Sequence, residues 1–208
     1  IKYIEADEFH REKQFYTIRE AFNGECDEVT QAVYMVFLNK TCFNGLYREN
    51  SEGKFNVPFG RYKNPNFIDE EQLIELSSLL NIKDETGDFK VKIMNTHFYE
   101  LKDYIDDNSF IYCDPPYRPV TMGGFNSYDK SGFNDESQIE LSKFYRVADA
   151  KGARIMLSNS DPKVFDPNDD FFENLYQDFN IKRVRAKRTI NSDGRGRGEV
   201  EELLITNY

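Results

Sequence analysis

Ser109-Phe110-Ile111-Tyr112-Cys113-Asp114-Pro115-Pro116-Tyr117 is the stretch around which the chain is organised. Its first residues are mostly apolar and read as a buried strand. Two prolines then end it, because neither can donate to a sheet ladder. Asp114 therefore stands where a strand gives way to a loop, and in open α/β sheets that carboxyl end is where ligands bind. Pro115 and Pro116 fix two φ angles, so nearby carbonyls point in set directions at little entropic cost. A carboxylate and a carbonyl together accept both hydrogens of a planar amino group. Tyr117 is placed to stack on the ring that bears the amine. Two acceptors pulling on those hydrogens free the nitrogen lone pair toward an electrophile. The bland alternative is a strand-ending turn with a solvated Asp.

Outward from this turn the chain shows a recurring pattern of helices and strands. Ala6–Asn23 and Asp27–Asn39 read as helices, the second nearly apolar all round at its end and so predicted to be buried. Asp69–Leu80 reads as a third helix, acidic in its first turn. Between them, residues 41–61 are rich in Asn, Gly and aromatics, and the loop Glu49–Gly53 between two extended runs predicts a hairpin. Asp88–Met94 reads as a buried strand and Phe98–Asp103 as a short helix. The Gly- and Ser-rich stretch Val120–Gly132 is long enough to act as a closing loop. Asn134–Ala150 reads as an amphipathic helix and Ala153–Leu157 as a strand. Ile181–Arg188 and Val200–Tyr208 read as strands joined by the basic loop Thr189–Gly198.

The 208 residues suit one large domain or two small ones, and 39% hydrophobic content fills a core. No run approaches the roughly 18 apolar residues of a membrane span. Three cysteines without ligand spacing read as reduced thiols of a cytoplasmic protein. With only His10 and His97, no histidine-based zinc site is expected and no metal is implied. A net charge of −10 weighs against nucleic-acid binding, but its distribution answers the objection. Residues 181–198 hold seven basic side chains against Asp193 alone, and 40–63 hold five against two acids. Two ordinary solvated faces are the alternative reading of that pattern.

Asp114-Pro115-Pro116-Tyr117 matches the D-P-P-Y motif of amino-group DNA methyltransferases. A second stretch, Phe37–Asn50 followed by Gly53–Pro65, is similar to the target-recognition segment of the Dam and DpnII-type adenine methyltransferases. The resemblance runs from about Phe15 to the C-terminus. It implies a Rossmann-like S-adenosylmethionine-dependent sheet with a helical target-recognition domain carrying a β-hairpin. On this reading residues 1–88 form the recognition region and 89–208 the catalytic α/β region.

The resemblance also implies residue roles. Asp114, Pro115, Pro116 and Tyr117 are the catalytic set, and Phe98 and Asp114 contact the cofactor. Arg48 is the base-reading arginine, worth ~1–3 kcal/mol against the wrong base, and Phe43 wedges into the stack as the target base leaves. Lys40, Asn44, Asn50, Pro58, Arg61 and Lys63 lie near the DNA, as do Lys187, Arg188, Arg195 and Arg197 of the C-terminal strand and loop. The implied reaction is methyl transfer from S-adenosylmethionine to the exocyclic amine of adenine in double-stranded DNA, in GATC, by base flipping. A companion restriction endonuclease, a monomeric or weakly dimeric state and no membrane complete the picture.

The family's F-x-G-G/A-G turn and the acid after it have no counterpart here. The family's strand order is 3-2-1-4-5-7-6, with the Asp114 strand fourth and Val91–Met94 third. The first strands are thus expected to be missing, leaving Val91–Met94 without a neighbour and one edge of the Asp114 strand exposed. The rival readings are a non-catalytic DNA-binding fragment and an amino methyltransferase acting on RNA or protein.

Overall fold

The computed structural model describes residues 7–65, 69–119, 132–187 and 199–208. It divides into two compact units, Ile1–Ile93 and Met94–Tyr208.

The first unit holds three helices: α1 (Glu8–Phe22), α2 (Glu28–Thr41) and α3 (Glu70–Leu80). Each starts where an aspartate accepts a hydrogen bond from the first turn: Asp7 from His10 N, Asp27 from Thr30 N, Asp69 from Gln72 N. Each cap satisfies one N–H of a first turn that has no partner within the helix. The core is small and aromatic, built from Phe15 of α1, Leu38 of α2, then Cys42, Phe55, Val57 and Phe59. The end of α1 grips the segment that follows α2. Asn23 donates through Nδ2 to Phe55 O at 3.0 Å and accepts from Phe55 N at 2.8 Å, so its amide acts like a strand neighbour. Arg19 Nη1 donates to Val57 O at 3.2 Å.

Residues 41–61 fold back through two isolated antiparallel bridges, Cys42↔Phe59 and Glu49↔Phe55, rather than a continuous ladder. Asn56 N donates to Arg48 O and Gly60 N to Thr41 O, at 2.9 and 2.8 Å. Two sequence expectations fail in this unit. α2 is not buried: Val29, Val33 and Val36 form an exposed stripe at helical spacing, and only Leu38 and Thr41 are fully buried. The core takes the other side of the helix, where α1 packs. Asp88–Met94 is not a strand. Its one pairing is the bridge Lys83↔Phe89, and Val91, Ile93 and Met94 are exposed. An extended run with no strand beside it among the described residues has nothing to form a ladder with.

The second unit is a four-stranded sheet in the order β1-β2-β4-β3, with β1 Phe110–Cys113, β2 Arg154–Ser160, β3 Asn180–Lys187 and β4 Glu199–Thr206. β1 and β2 are parallel, joined through α4 (Asp135–Ala150), and β4 runs antiparallel to both its neighbours. Opposed residues share a face, so the register sorts the side chains. Ile111, Cys113, Ile155, Leu157, Leu203 and Ile205 face one way and pack on Leu141, Phe144, Tyr145 and Ala148 of α4 and on Phe172 and Tyr176. α5 (Phe171–Leu175) supplies Phe172. Tyr112, Ser158, Ser160 and Glu202 face the other way.

β1 was expected to be buried throughout. Instead Phe110 is 59% and Tyr112 55% exposed, because β1 is an edge strand with one paired side among the described residues. Only alternate residues reach the core. Of the remaining expected elements, the short helix is a 3-10 helix over Phe98–Tyr104, and Asn134 caps α4 through Ser137 N. The closing loop Val120–Gly132 lies almost entirely outside the described residues, and the loop Thr189–Gly198 lies wholly outside them.

Candidate active site

Asp114 follows β1 directly, and its carboxylate is exposed. The register Cys113↔Leu157 brings Ser158 beside it: Ser158 Oγ donates to Asp114 Oδ1 at 3.2 Å. Ser158 Oγ also lies 3.0 Å from the Tyr112 hydroxyl. One carboxylate oxygen is thus tied to the sheet, and the other has no hydrogen-bond partner among the described residues. Tyr117, three residues on, is half-buried and donates its hydroxyl to Glu202 Oε2 at 3.3 Å. Burial pushes the Tyr117 phenol up. Ser158 draws it back, while the carboxylates of Glu202 and Asp114 add to the rise. The ring is therefore neutral at any ordinary pH and is held by its far end.

The prolines between them are fixed from the opposite face. Gln138 of α4, almost fully buried, donates Nε2 to Pro116 O at 3.1 Å, and Asn159 Nδ2 donates to Gln138 Oε1 at 3.1 Å. Asn159 Oδ1 accepts from Arg118 N at 3.0 Å, and Ser160 Oγ donates to Arg118 O at 2.5 Å. Arg118 then reaches outward. Its Nε and Nη2 meet the Asp135 carboxylate, its Nη1 meets Asp169 at 2.7 Å, and its guanidinium lies 4.3 Å from the centre of the Phe171 ring. Burial pulls the Arg118 guanidinium down, but the two aspartates outweigh it and hold it above the usual arginine value. Every backbone group named here has a partner, as a buried polar turn requires.

Phe98 is half-buried. It stacks with His97 at 4.3 Å between ring centres and meets Phe144 edge-on at 5.5 Å. His97 Nε2 lies 3.8 Å from Glu140 Oε2, so the ring beside Phe98 carries a polar contact.

The nucleic-acid candidates of the first unit lie around the folded-back segment. Lys40 is exposed in the last turn of α2, and Phe43 is 43% exposed, not a core aromatic. Asn44 has φ 55° and ψ 21°, a left-handed conformation that suits Asn and sharpens the turn beneath Phe43. Arg48 is exposed. Its Nε donates to Asn56 Oδ1 at 2.7 Å, which aims the guanidinium while leaving its Nη1 end toward solvent. Asn50 accepts from Glu52 N and Lys54 N at 3.0 Å each, which makes it the keystone of its own loop. Pro58 accepts from Phe43 N through its carbonyl, and Lys63 accepts from Arg11 Nη1. Arg61, exposed and at φ 56°, has Nε 3.7 Å from Glu8. Lys187 ends β3. Arg188, Arg195 and Arg197 lie outside the described residues. Within the basic C-terminal patch, Arg183 turns inward to Asp161 and Glu173 and is not a free surface cation.

The sequence reading assigned no role to Ser158, Glu202, Gln138, Asn159 or Arg118, although the run Ser158–Asp161 resembles a family motif. A signal existed for two of them: the polar run Ser158-Asn159-Ser160-Asp161 ends an apolar strand, yet all four residues are buried. Buried polar residues at a strand end imply partners. No comparable signal marked Glu202 or Gln138, whose partners are 85 and 22 residues away. Among the described residues no group of His, Cys, Asp and Glu is arranged to hold a metal ion, and no helix is long and apolar enough to cross a membrane.

Comparison with known proteins completes the picture. A type II methyltransferase of Methanocaldococcus jannaschii is 47% identical over 213 aligned residues, covering 100% of this chain and 68% of the relative. A type II methyltransferase of Lactococcus lactis subsp. cremoris is 38% identical, covering 87% of the chain and 60% of the relative. The DNA adenine methylase of Escherichia coli is 33% identical, covering 91% and 63%. The chain thus spans about two thirds of the length of these relatives. The family model for D12 class N6 adenine-specific DNA methyltransferase matches residues 1–190. With a D-P-P-Y turn at the end of an edge strand and relatives of this kind across its length, the chain belongs to the D12 class of N6 adenine-specific DNA methyltransferases.

Proposed function

We propose that this chain takes part in methyl transfer to the exocyclic amine of adenine in duplex DNA, with GATC as its target and the base flipped out of the stack. The observation that carries the reading is the Asp114 carboxylate, exposed at the carboxyl end of β1, tied on one oxygen by Ser158 and followed by two prolines. Its second oxygen and the Pro115 carbonyl accept the two amine hydrogens, and Tyr117 stacks on the ring. An amine whose hydrogens are both engaged presents its lone pair on one side of the ring plane, which is what in-line displacement needs. Base flipping follows because the amine is inaccessible within the duplex. The sheet order β1-β2-β4-β3 supports a Rossmann-like methyltransferase sheet, since it corresponds to strands 4-5-7-6 of that order.

S-adenosylmethionine supplies an electrophilic methyl on a sulfonium. The residues present fit part of it. Phe98 and His97 form an aromatic shelf suited to an adenine ring, and Asp114 is an exposed acceptor. In the first unit, Arg48 reads a guanine edge, braced by Asn56, and the half-exposed Phe43 fills the gap left by the flipped base. Lys40, Asn44, Asn50, Pro58, Arg61 and Lys63 line the DNA backbone, joined by Lys187, Arg188, Arg195 and Arg197.

The test is Asp114→Ala in the full protein. Methyl incorporation into duplex DNA under single-turnover conditions should be abolished while DNA affinity stays within severalfold, because the carboxylate acts on the reacting amine and not on uniform binding. Parallel loss of affinity and rate would assign Asp114 to structure instead.

A further inference from the structure

We infer that Ser158, backed by Tyr112, is a positioning residue for the reaction: it sets which oxygen of Asp114 faces the target amine. The inference rests on the function proposed above and deepens it. A carboxylate at a strand end rotates about its last bond, a broad two-fold torsion. As an acceptor for one amine hydrogen it is useful only in one rotation. Ser158 Oγ, 3.2 Å from Oδ1, removes that freedom. The serine itself is fixed: it is 6% exposed, in β2, between the paired strands β1 and β4.

A serine hydroxyl has one hydrogen to give. If it goes to Asp114, an ionised acceptor, then the contact at 3.0 Å with Tyr112 must run the other way, Tyr112 O–H to Ser158 Oγ. The three groups form a directed chain, Tyr112 to Ser158 to Asp114. Each bond polarises the next, which strengthens a chain beyond separate pairs. The sheet makes this arrangement unavoidable. Met156 stands opposite Tyr112 and the β1–β2 ladder ends at Cys113↔Leu157, so Asp114 and Ser158 are the next residues of their two strands, two positions on from Tyr112 and Met156. Tyr112 is more than half exposed, so its ring contributes little to packing, and its hydroxyl is the part placed for a task.

The rest of the polar face is accounted for. Ser160 serves the Arg118 carbonyl and Glu202 serves Tyr117, whose hydroxyl also lies within reach of Ser158. Ser158 is the member of this strip whose hydroxyl reaches the Asp114 carboxylate.

The experiment compares Ser158→Ala, Ser158→Thr, Tyr112→Phe and the Ser158→Ala/Tyr112→Phe double variant with the unaltered protein and Asp114→Ala. Readouts are single-turnover methyl transfer, KM for DNA and thermal unfolding. Ser158→Ala should lower the transfer rate at least tenfold with KM for DNA within about threefold and an unchanged unfolding temperature. Ser158→Thr, which keeps the hydroxyl on a strand-compatible side chain, should recover most of the rate. Tyr112→Phe should lose a few-fold, and the double variant should be no slower than Ser158→Ala alone, because Tyr112 acts only through the serine. Additive losses, a loss confined to KM, or a loss that tracks falling stability would overturn the inference. If Ser158→Ala is as fast as the unaltered protein while Asp114→Ala is dead, this inference alone fails. If Asp114→Ala is also active, the proposed function of the turn fails with it.

Discussion

Arg118 shows how much of the Asp114–Tyr117 turn is held in place by the residue that follows it. Its side chain is 14% exposed and meets two aspartates and one aromatic ring, while its backbone takes both Asn159 and Ser160. Arg118→Ala leaves Asp169 without its guanidinium and uncovers the Phe171 face. The expected cost is about 2 kcal/mol, allowing for the exposure of Asp135. Arg118→Lys should recover less than half, since an ammonium cannot make the forked contact and the stack together. Chemical denaturation of the three proteins measures both. Nothing in the sequence pointed to this cluster beyond its adjacency to Tyr117. The partners stand 17 and 51 residues downstream, and only the fold brings them together. Asp114, in contrast, was legible from one dimension, because an acid before two prolines fixes its own local geometry.

The folded-back segment of the first unit shows which features of an element its sequence can and cannot convey. Its turn chemistry was readable: Asn50 and Gly53 build the loop, and Gly53 adopts φ +72°. Its ladder was not, because two bridges and the side chain of Asn23 do the pairing. Gly60 is the tightest point. A Cβ there would meet Cys42 O at 2.4 Å and Tyr62 Cε2 at 2.6 Å, and the carbonyl cannot yield without breaking the Cys42↔Phe59 bridge. Gly60→Ala is therefore expected to destabilise the unit by about 1–3 kcal/mol, visible as an earlier loss of helical circular dichroism. The helix boundaries were legible because aspartates announce them. The burial of α2 was not, because Val29, Val33 and Val36 and the pair Leu38 and Thr41 offer two candidate stripes, and tertiary partners choose between them. The same holds for β1, where an apolar run said nothing of its edge position.

The core of the second unit gives the whole molecule a particular response to alkali. Burial raises the Cys113 thiol from 9.0 to about 11, and burial likewise raises the Tyr145 and Tyr176 phenols. The folded state keeps these protons where the unfolded chain releases them. Their contribution is complete below about pH 9 and is lost as pH rises through the folded values. Urea midpoints should accordingly fall above about pH 9, and Cys113→Ala should delay the onset of that fall toward pH 10, where the tyrosines begin to count. A midpoint flat with pH across this range would contradict the burial.

The sheet also sets an order of local opening. Among the described residues β4 is paired on both sides and β1 on one, so fluctuations that part these strands reach β1 before β4. The carboxylate proposed to meet the substrate is mounted at the end of the strand the sheet holds least. Its turn is kept in place by side chains reaching across from β2 and α4, and those ties set how often the proposed geometry exists at all.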